Sequence, residues 1–176
     1  MQLRSHFVVA VLAFQILRPL DQSILESGTV KLVAKAGDTA KLLVDGKPVA
    51  TTKAGPNALS ADLTLAPGTH GITLDAQKIE VFVKGSGSAP AGWEVFRPHP
   101  PSASCDACHV AKEGAWSVRP YDSSCAGCHN LAKFPQTHTH AATVLEECQL
   151  CHNPHGSKAR FHLKFTKETA CKQCHG

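Results

Sequence analysis

All eight cysteines lie beyond residue 104, in four pairs of identical spacing, each followed at once by a histidine. The runs are Cys105-Asp106-Ala107-Cys108-His109, Cys125-Ala126-Gly127-Cys128-His129, Cys148-Gln149-Leu150-Cys151-His152 and Cys171-Lys172-Gln173-Cys174-His175. Thiols in such pairs can bind zinc as thiolates, close disulfides, or form thioethers with the vinyl groups of a haem. Sixteen residues between Cys108 and Cys125, and nineteen between Cys151 and Cys171, fit zinc ribbons. An even cysteine count fits a disulfide framework in an exported protein. Neither chemistry needs a histidine after every second cysteine, and four such placements arise by chance with a probability on the order of 10⁻⁴. Thioether attachment does need it. One turn of backbone presents both sulfurs to one porphyrin edge, and the adjacent imidazole binds the iron from the proximal face. The spacing therefore predicts four covalently bound haem c groups, with His109, His129, His152 and His175 as proximal ligands.

The order of the motifs repeats, since the first motifs of the two successive pairs begin 43 residues apart, at Cys105 and Cys148. The stretch Cys148-Gln149-Leu150-Cys151-His152-Asn153-Pro154-His155-Gly156-Ser157 matches a CHxPHGS signature. On these residues the segment 97–176 resembles the doubled-CxxCH family of multihaem, here tetrahaem, cytochromes c. The first pair departs from the pattern, with Val110-Ala111-Lys112 where the second has Asn153-Pro154-His155. The resemblance implies an electron carrier rather than an enzyme, and it implies that His155 is a distal ligand. Three residues from His152, His155 cannot reach the opposite face of the same porphyrin, so it is expected to serve a neighbouring haem.

The sixth ligands are sought among the remaining histidines, because the only methionine is Met1. His/His coordination points to low potentials relative to Met/His cytochromes. His99 lies six residues before the first motif, next to Pro98, Pro100 and Pro101, in a stiff extended segment. His140 lies eight residues before the third motif and is its counterpart. His138 is one threonine away, and in an extended segment the two side chains point to opposite sides, toward two different irons. His162 stands in the alternating run Phe161-His162-Leu163-Lys164-Phe165, sharing a face with Lys164 that looks at water, and is held in reserve. His6 falls in a presumptive leader. His70, beside a turn, reads as an exposed loop residue.

The elements that must position these groups fall into distinct stretches. Residues 1–27 read as a signal or N-terminal anchor segment, with Arg4 ahead of the mostly apolar run Phe7 to Leu17, too short to span a bilayer. A buried strand or helix is the alternative for that run. Residues 28–84 hold no cysteine and carry short β-prone runs: Val30 to Val33, Lys41 to Val44, Ala61 to Leu65, Gly71 to Leu74 and Ile79 to Val83. Asp45-Gly46 and Pro67-Gly68-Thr69 read as hairpin-type turns between them. The expected fold is a small β-sandwich-like domain. Leu43 to Val49 and Leu65 to His70 are similar to pieces of a PEGA-type module, which implies a scaffold or contact domain. Residues 85–96 form a linker, Gly- and Ser-rich at its start. Residues 97–176 make up the tetrahaem domain.

That last domain carries one motif per eighteen residues from 105 to 176. It is expected to be loop-rich and mostly irregular, with short helices at the motifs, a longer one over Ala141 to Gln149, and haems as its core. Only 6% of the chain is aromatic, which leaves little for a conventional second core.

Charge sets aside nucleic acid as a partner. Two propionates per haem, against one net positive charge per ferric centre, bring the formal +4 to about zero. The expected partners are redox proteins or other cytochromes, with self-association or docking through the β domain as a further expectation. The expected location is periplasmic or extracellular. Two other functions compete: a multihaem redox enzyme with one open iron, and a haem-bearing structural subunit of a larger or polymeric assembly.

Overall fold

The computed structural model describes residues 14–85, 87–99, 104–129, 140 and 147–175. Twelve strands and two short α-helices lie among them, and the first ten strands form two sheets. One sheet has the order β1 (Gln15–Arg18), β3 (Thr29–Lys35), β7 (Ala58–Thr64), β6 (Thr52–Gly55). The other runs β10 (Glu94–Val95), β2 (Ser23–Leu25), β9 (Gln77–Val83), β8 (Gly68–Leu74), β4 (Leu42–Val44), β5 (Lys47–Pro48).

Period-two alternation builds the core between these sheets. Leu32 and Ala34 of β3 and Leu59, Ala61 and Leu63 of β7 turn inward from one side. Leu42, Ile72, Leu74, Ile79, Val81 and Val83 meet them from the other, while Lys31, Asp62 and Lys78 on the same strands are exposed. Each fully buried aliphatic side chain stabilises the fold by about 1.5–3 kcal/mol. The Asp45-Gly46 turn joins β4 to β5 with both residues at positive φ (51° and 76°), the conformation a two-residue hairpin of matching twist requires.

The sandwich extends beyond the expected 28–84 span at both ends. β1 comes from the stretch read as leader, and Ile16 and Leu25 are each 4% exposed in the shared core. β2 pairs in parallel with β9, and β10 in parallel with β2, so residues 94–95 of the expected linker close the sheet. Residues 1–13 lie outside the described ones. Pro67-Gly68-Thr69 is not a hairpin turn: β7 and β8 belong to different sheets, and Gly68 and Thr69 open β8. His70 is likewise no loop residue. It lies within β8, its side chain 13% exposed, with Nδ1 2.7 Å from Asp45 Oδ2 and Nε2 2.8 Å from the Ala66 carbonyl.

Beyond Arg97 the character changes. The described elements are α1 (Cys105–Cys108), the hairpin β11 (His109–Lys112) and β12 (Ala115–Val118), and α2 (Lys167–His175). Four 3₁₀ turns stand between them, at Tyr121–Ser123, Cys125–Gly127, Cys148–Leu150 and Arg160–His162. Every buried hydrophobic side chain among the described residues lies between Ile16 and Phe96. Val110, Val118, Leu150, Phe161 and Phe165 are instead 38–74% exposed. The loop-rich half has no apolar polypeptide core among the described residues. No described helix is long and apolar enough to cross a membrane.

Candidate haem-attachment site

Each cysteine pair sits on a helical turn, which places positions i and i+3 on one side. α1 holds Cys105 and Cys108, and His109 then leaves in extended conformation (φ −121°, ψ 154°) to start β11. In the second motif Cys128 N donates to Cys125 O at 3.1 Å and His129 N to the same oxygen at 2.8 Å. The third repeats this, with Cys151 N and His152 N donating to Cys148 O at 3.3 and 2.9 Å. The fourth occupies the last turns of α2. That helix starts where Thr166 Oγ1 accepts from Thr169 N at 3.3 Å, and a Glu168–Lys172 pair supports it at 2.8 Å.

None of the eight cysteines is in a disulfide. Burial pushes the Cys108 thiol above its usual pKa, with Cys125, Cys128 and Cys105 adding to it. Burial does the same to Cys148, with help from Cys125. Among the described residues no group of three or more His, Cys, Asp or Glu side chains gathers as a metal cage would require.

The histidines meet in pairs. His109 and His155 have ring centres 6.0 Å apart and planes within 4° of parallel. His99 stands 6.0 Å from His129 at 41°, and His140 stands 6.0 Å from His175 at 42°. His99 also has His162 at 5.8 Å, nearly edge-on at 73°. Two imidazoles sharing one iron stand about 6 Å apart, from metal–nitrogen bonds of about 2.0 Å plus about 1.1 Å to each ring centre. The ring-centre separations match that span, and the paired thiols on helical turns fit the covalent edge of a haem. His138 lies outside the described residues, as do residues 141–146 of the expected longer helix.

Electrostatics suit neutral imidazole ligands. Burial lowers the pKa of His155 and of His99, and neighbouring histidines and the Arg18 guanidinium of β1 lower both further. Burial also lowers His162, beside His152 and Arg97. His152 Nδ1 donates to the Phe161 carbonyl at 2.7 Å, which fixes the tautomer and leaves Nε2 for a metal. The Nδ1 atoms of His109 and His162 are buried without a hydrogen-bond partner.

His162 does not look at water beside Lys164. Phe161 and His162 both take left-handed φ (58° and 55°), which breaks the alternation, so Phe161 is 74% exposed while His162 is half-buried.

The groups that hold this half on the sandwich carry no local sequence signal. Phe96, 3% exposed, and Arg97 receive the loop after the third motif: Arg97 N donates to Ser157 O at 2.8 Å and Ser157 N to Arg97 O at 3.0 Å. The Arg97 guanidinium donates to the Lys158 carbonyl at 2.6 Å, and Lys158 Nζ to Asp21 O at 3.0 Å. Gly156 permits the approach, since a Cβ there would lie 2.4 Å from Phe96 Cζ. On the other side, Trp116 of β12 lies against Gly55 at the end of β6 and 5.4 Å from the His109 ring. Gly156-Ser157 closes the CHxPHGS signature, but nothing local names Phe96-Arg97 as its partner.

Among known proteins, the family model described as doubled CXXCH motif matches residues 138–176. No curated protein matches the chain. Two solved structures show limited likeness. One is a single-mutant thermostable endoglucanase from Alicyclobacillus acidocaldarius, 18% identical over 42% of this chain and 15% of that one, at a TM-score of 0.31. The other is described as tandem Ig repeats of Dlar, 16% identical over 47% of this chain and 51% of that one, at 0.28. The chain thus spans 15% and 51% of these structures, and likeness this slight carries no argument. Helical turns with cysteine pairs outside any disulfide, and the family match over the last two of them, lead to one conclusion: residues 138–176 carry the doubled CXXCH motif of c-type haem proteins.

Proposed function

We infer that the chain is a tetrahaem c-type cytochrome that passes electrons between redox partner proteins or other cytochromes in the periplasm or outside the cell. The observation that carries this reading is the missing core. Four thiol-bearing turns crowd into a half whose described residues bury no hydrophobic side chain of their own. Several large apolar side chains there face open space. A residue set of this kind gains stability only if something apolar fills the gap, and four porphyrins attached at the four motifs would do so.

When bound, each haem supplies an Fe(III)/Fe(II) couple. The chain's residues do the rest. The cysteine pairs fix each ring edge covalently, and the histidine after each pair holds one axial position. His99, His140, His155 and His138 supply the distal side, which closes the irons to substrate and, with imidazole on both faces, favours low potentials. The β-sandwich acts as a scaffold and as the surface for docking or self-association. The N-terminal segment reads as an export signal or anchor.

The test is optical. The protein, made with c-type maturation machinery, is expected to be low-spin in both oxidation states and indifferent to carbon monoxide. A carbon-monoxide-binding, high-spin fraction in the wild type would contradict electron transfer as the sole role and put an open-iron enzyme in its place.

A further inference from the structure

Three of the described histidine ring pairs share a 6.0 Å separation but not one orientation. His109 and His155 are nearly parallel at 4°, whereas the other two pairs are tilted by 41° and 42°. We propose that His155, delivered by the loop after the third motif, is the distal ligand of the haem attached at the first motif, opposite His109. One shared iron then locks the two motif pairs together. This rests on the haem-protein reading above and goes on to assign one of its pairings.

The two rings reach each other from independent supports. His155 stands on a loop closed by Gly156 N donating to Asn153 O and by His155 N donating to Asn153 Oδ1, both at 3.1 Å. Ser157 then ties that loop to Arg97 and, through Oγ, to the Leu163 carbonyl at 2.5 Å. His109 is held from the other side by the β11–β12 hairpin and by Trp116, which lies on Gly55. Both supports end on the sandwich, so its rigidity sets the angle between the rings. The other motif histidines have other neighbours. His152 is three residues from His155 and turns its Nδ1 to the Phe161 carbonyl. His129 and His175 already have His99 and His140 at 6.0 Å. The first pair has no histidine of its own at the position equivalent to His155, where Lys112 stands. The ligand missing from the first repeat is supplied by the second.

The experiment uses electron paramagnetic resonance of the ferric holoprotein. Near-parallel imidazole planes give the most rhombic low-spin signal, and tilted planes move the largest g value up. His155→Ala is expected to keep all four haems attached by mass, to open one haem in four to carbon monoxide, and to remove the most rhombic component. Cys105→Ala with Cys108→Ala is expected to cost one haem and remove the same component. If the cysteine variant does not mature, His155→Met is read instead. It should convert that same component to a His/Met signal and leave the other three. The proposal is overturned if His155→Ala opens no haem, or if it removes a component that survives loss of the first motif. A wild type without covalent haem would overturn the proposal together with the haem-protein reading. Four low-spin haems with the wrong component lost would overturn the pairing alone.

Discussion

Gly156→Ala tests how the motif-bearing half is held on the sandwich. Gly156 is buried with φ at +125°, a region that is nearly glycine-only and costs another residue about 1–3 kcal/mol. The added Cβ would also lie 2.4 Å from Phe96 Cζ and 2.8 Å from the Arg97 carbonyl. Phe96 is 3% exposed and cannot swing into water without loss, so overpacking adds about 1–3 kcal/mol. Taken from the lower half of both ranges, these give a destabilisation of about 3 kcal/mol. With a urea slope of about 2 kcal/mol/M, the unfolding midpoint should fall by about 1.5 M. The assay is urea unfolding followed by circular dichroism, on preparations matched for haem content. Gly37→Ala is the control: no atom lies within 4 Å of its Cβ position, and the change should stay within about 0.5 kcal/mol. Equal midpoints for the two variants would refute the reasoning, since the Phe96–Gly156 approach would then not be close in solution.

Other expectations follow from the same geometry. Leu32→Ala and Ile72→Ala, both at 0% exposure in the sandwich core, should each cost about 2–5 kcal/mol by the same assay, and values below 1 would deny them a core position. The His70–Asp45 pair should make stability depend on pH. Burial alone would lower His70, but its bonds to Asp45 and the Ala66 carbonyl outweigh this and raise its pKa. The bond from His70 is also the main reason the Asp45 carboxyl is lowered. The His70 contribution is therefore complete below the unfolded pKa of about 6.5 and lost as pH rises through the higher folded value. The Asp45 contribution is present above its unfolded pKa and fades as pH falls through its lower folded value. Asp45 is about half exposed, so the effect should stay below about 1 kcal/mol, and Asp45→Asn should abolish the decline above neutrality. A wild-type profile unchanged by Asp45→Asn would count against the pair. Gly55→Ala would place a Cβ within the volume of the Trp116 indole, so the Trp116 environment and the most rhombic haem signal should change together. A change in neither would remove Trp116 as the support of His109.

What could be read in the sequence was what contiguous residues decide. Haem attachment depends on five adjacent residues, and the alternation of Leu59, Ala61 and Leu63 depends on a single strand, so both were visible. Pairing across distance was not. β1 overlaps the end of the apolar run and β2 follows it, and only their partners β3 and β9 reveal them as sheet. Pro67-Gly68 signals a change of direction without saying to which sheet the chain goes. The hairpin at Glu113-Gly114 is hidden because its four-residue strands follow directly on a helical motif turn, and only their mutual pairing defines them. The left-handed residues Phe161 and His162 reversed an alternation that assumed extended backbone. The identity of the anchor, Phe96-Arg97 against Gly156-Ser157, needs a contact 60 residues apart and no local pattern carries it.

Covalent haem at all four motifs underlies every role proposed above, and intact mass of the unfolded protein measures it directly. Protein made with c-type maturation should carry the polypeptide mass plus four haems. Cys148→Ala with Cys151→Ala, or the same change at any other pair, should subtract one haem. An unmodified polypeptide mass, with zinc recovered in the folded protein, would contradict it.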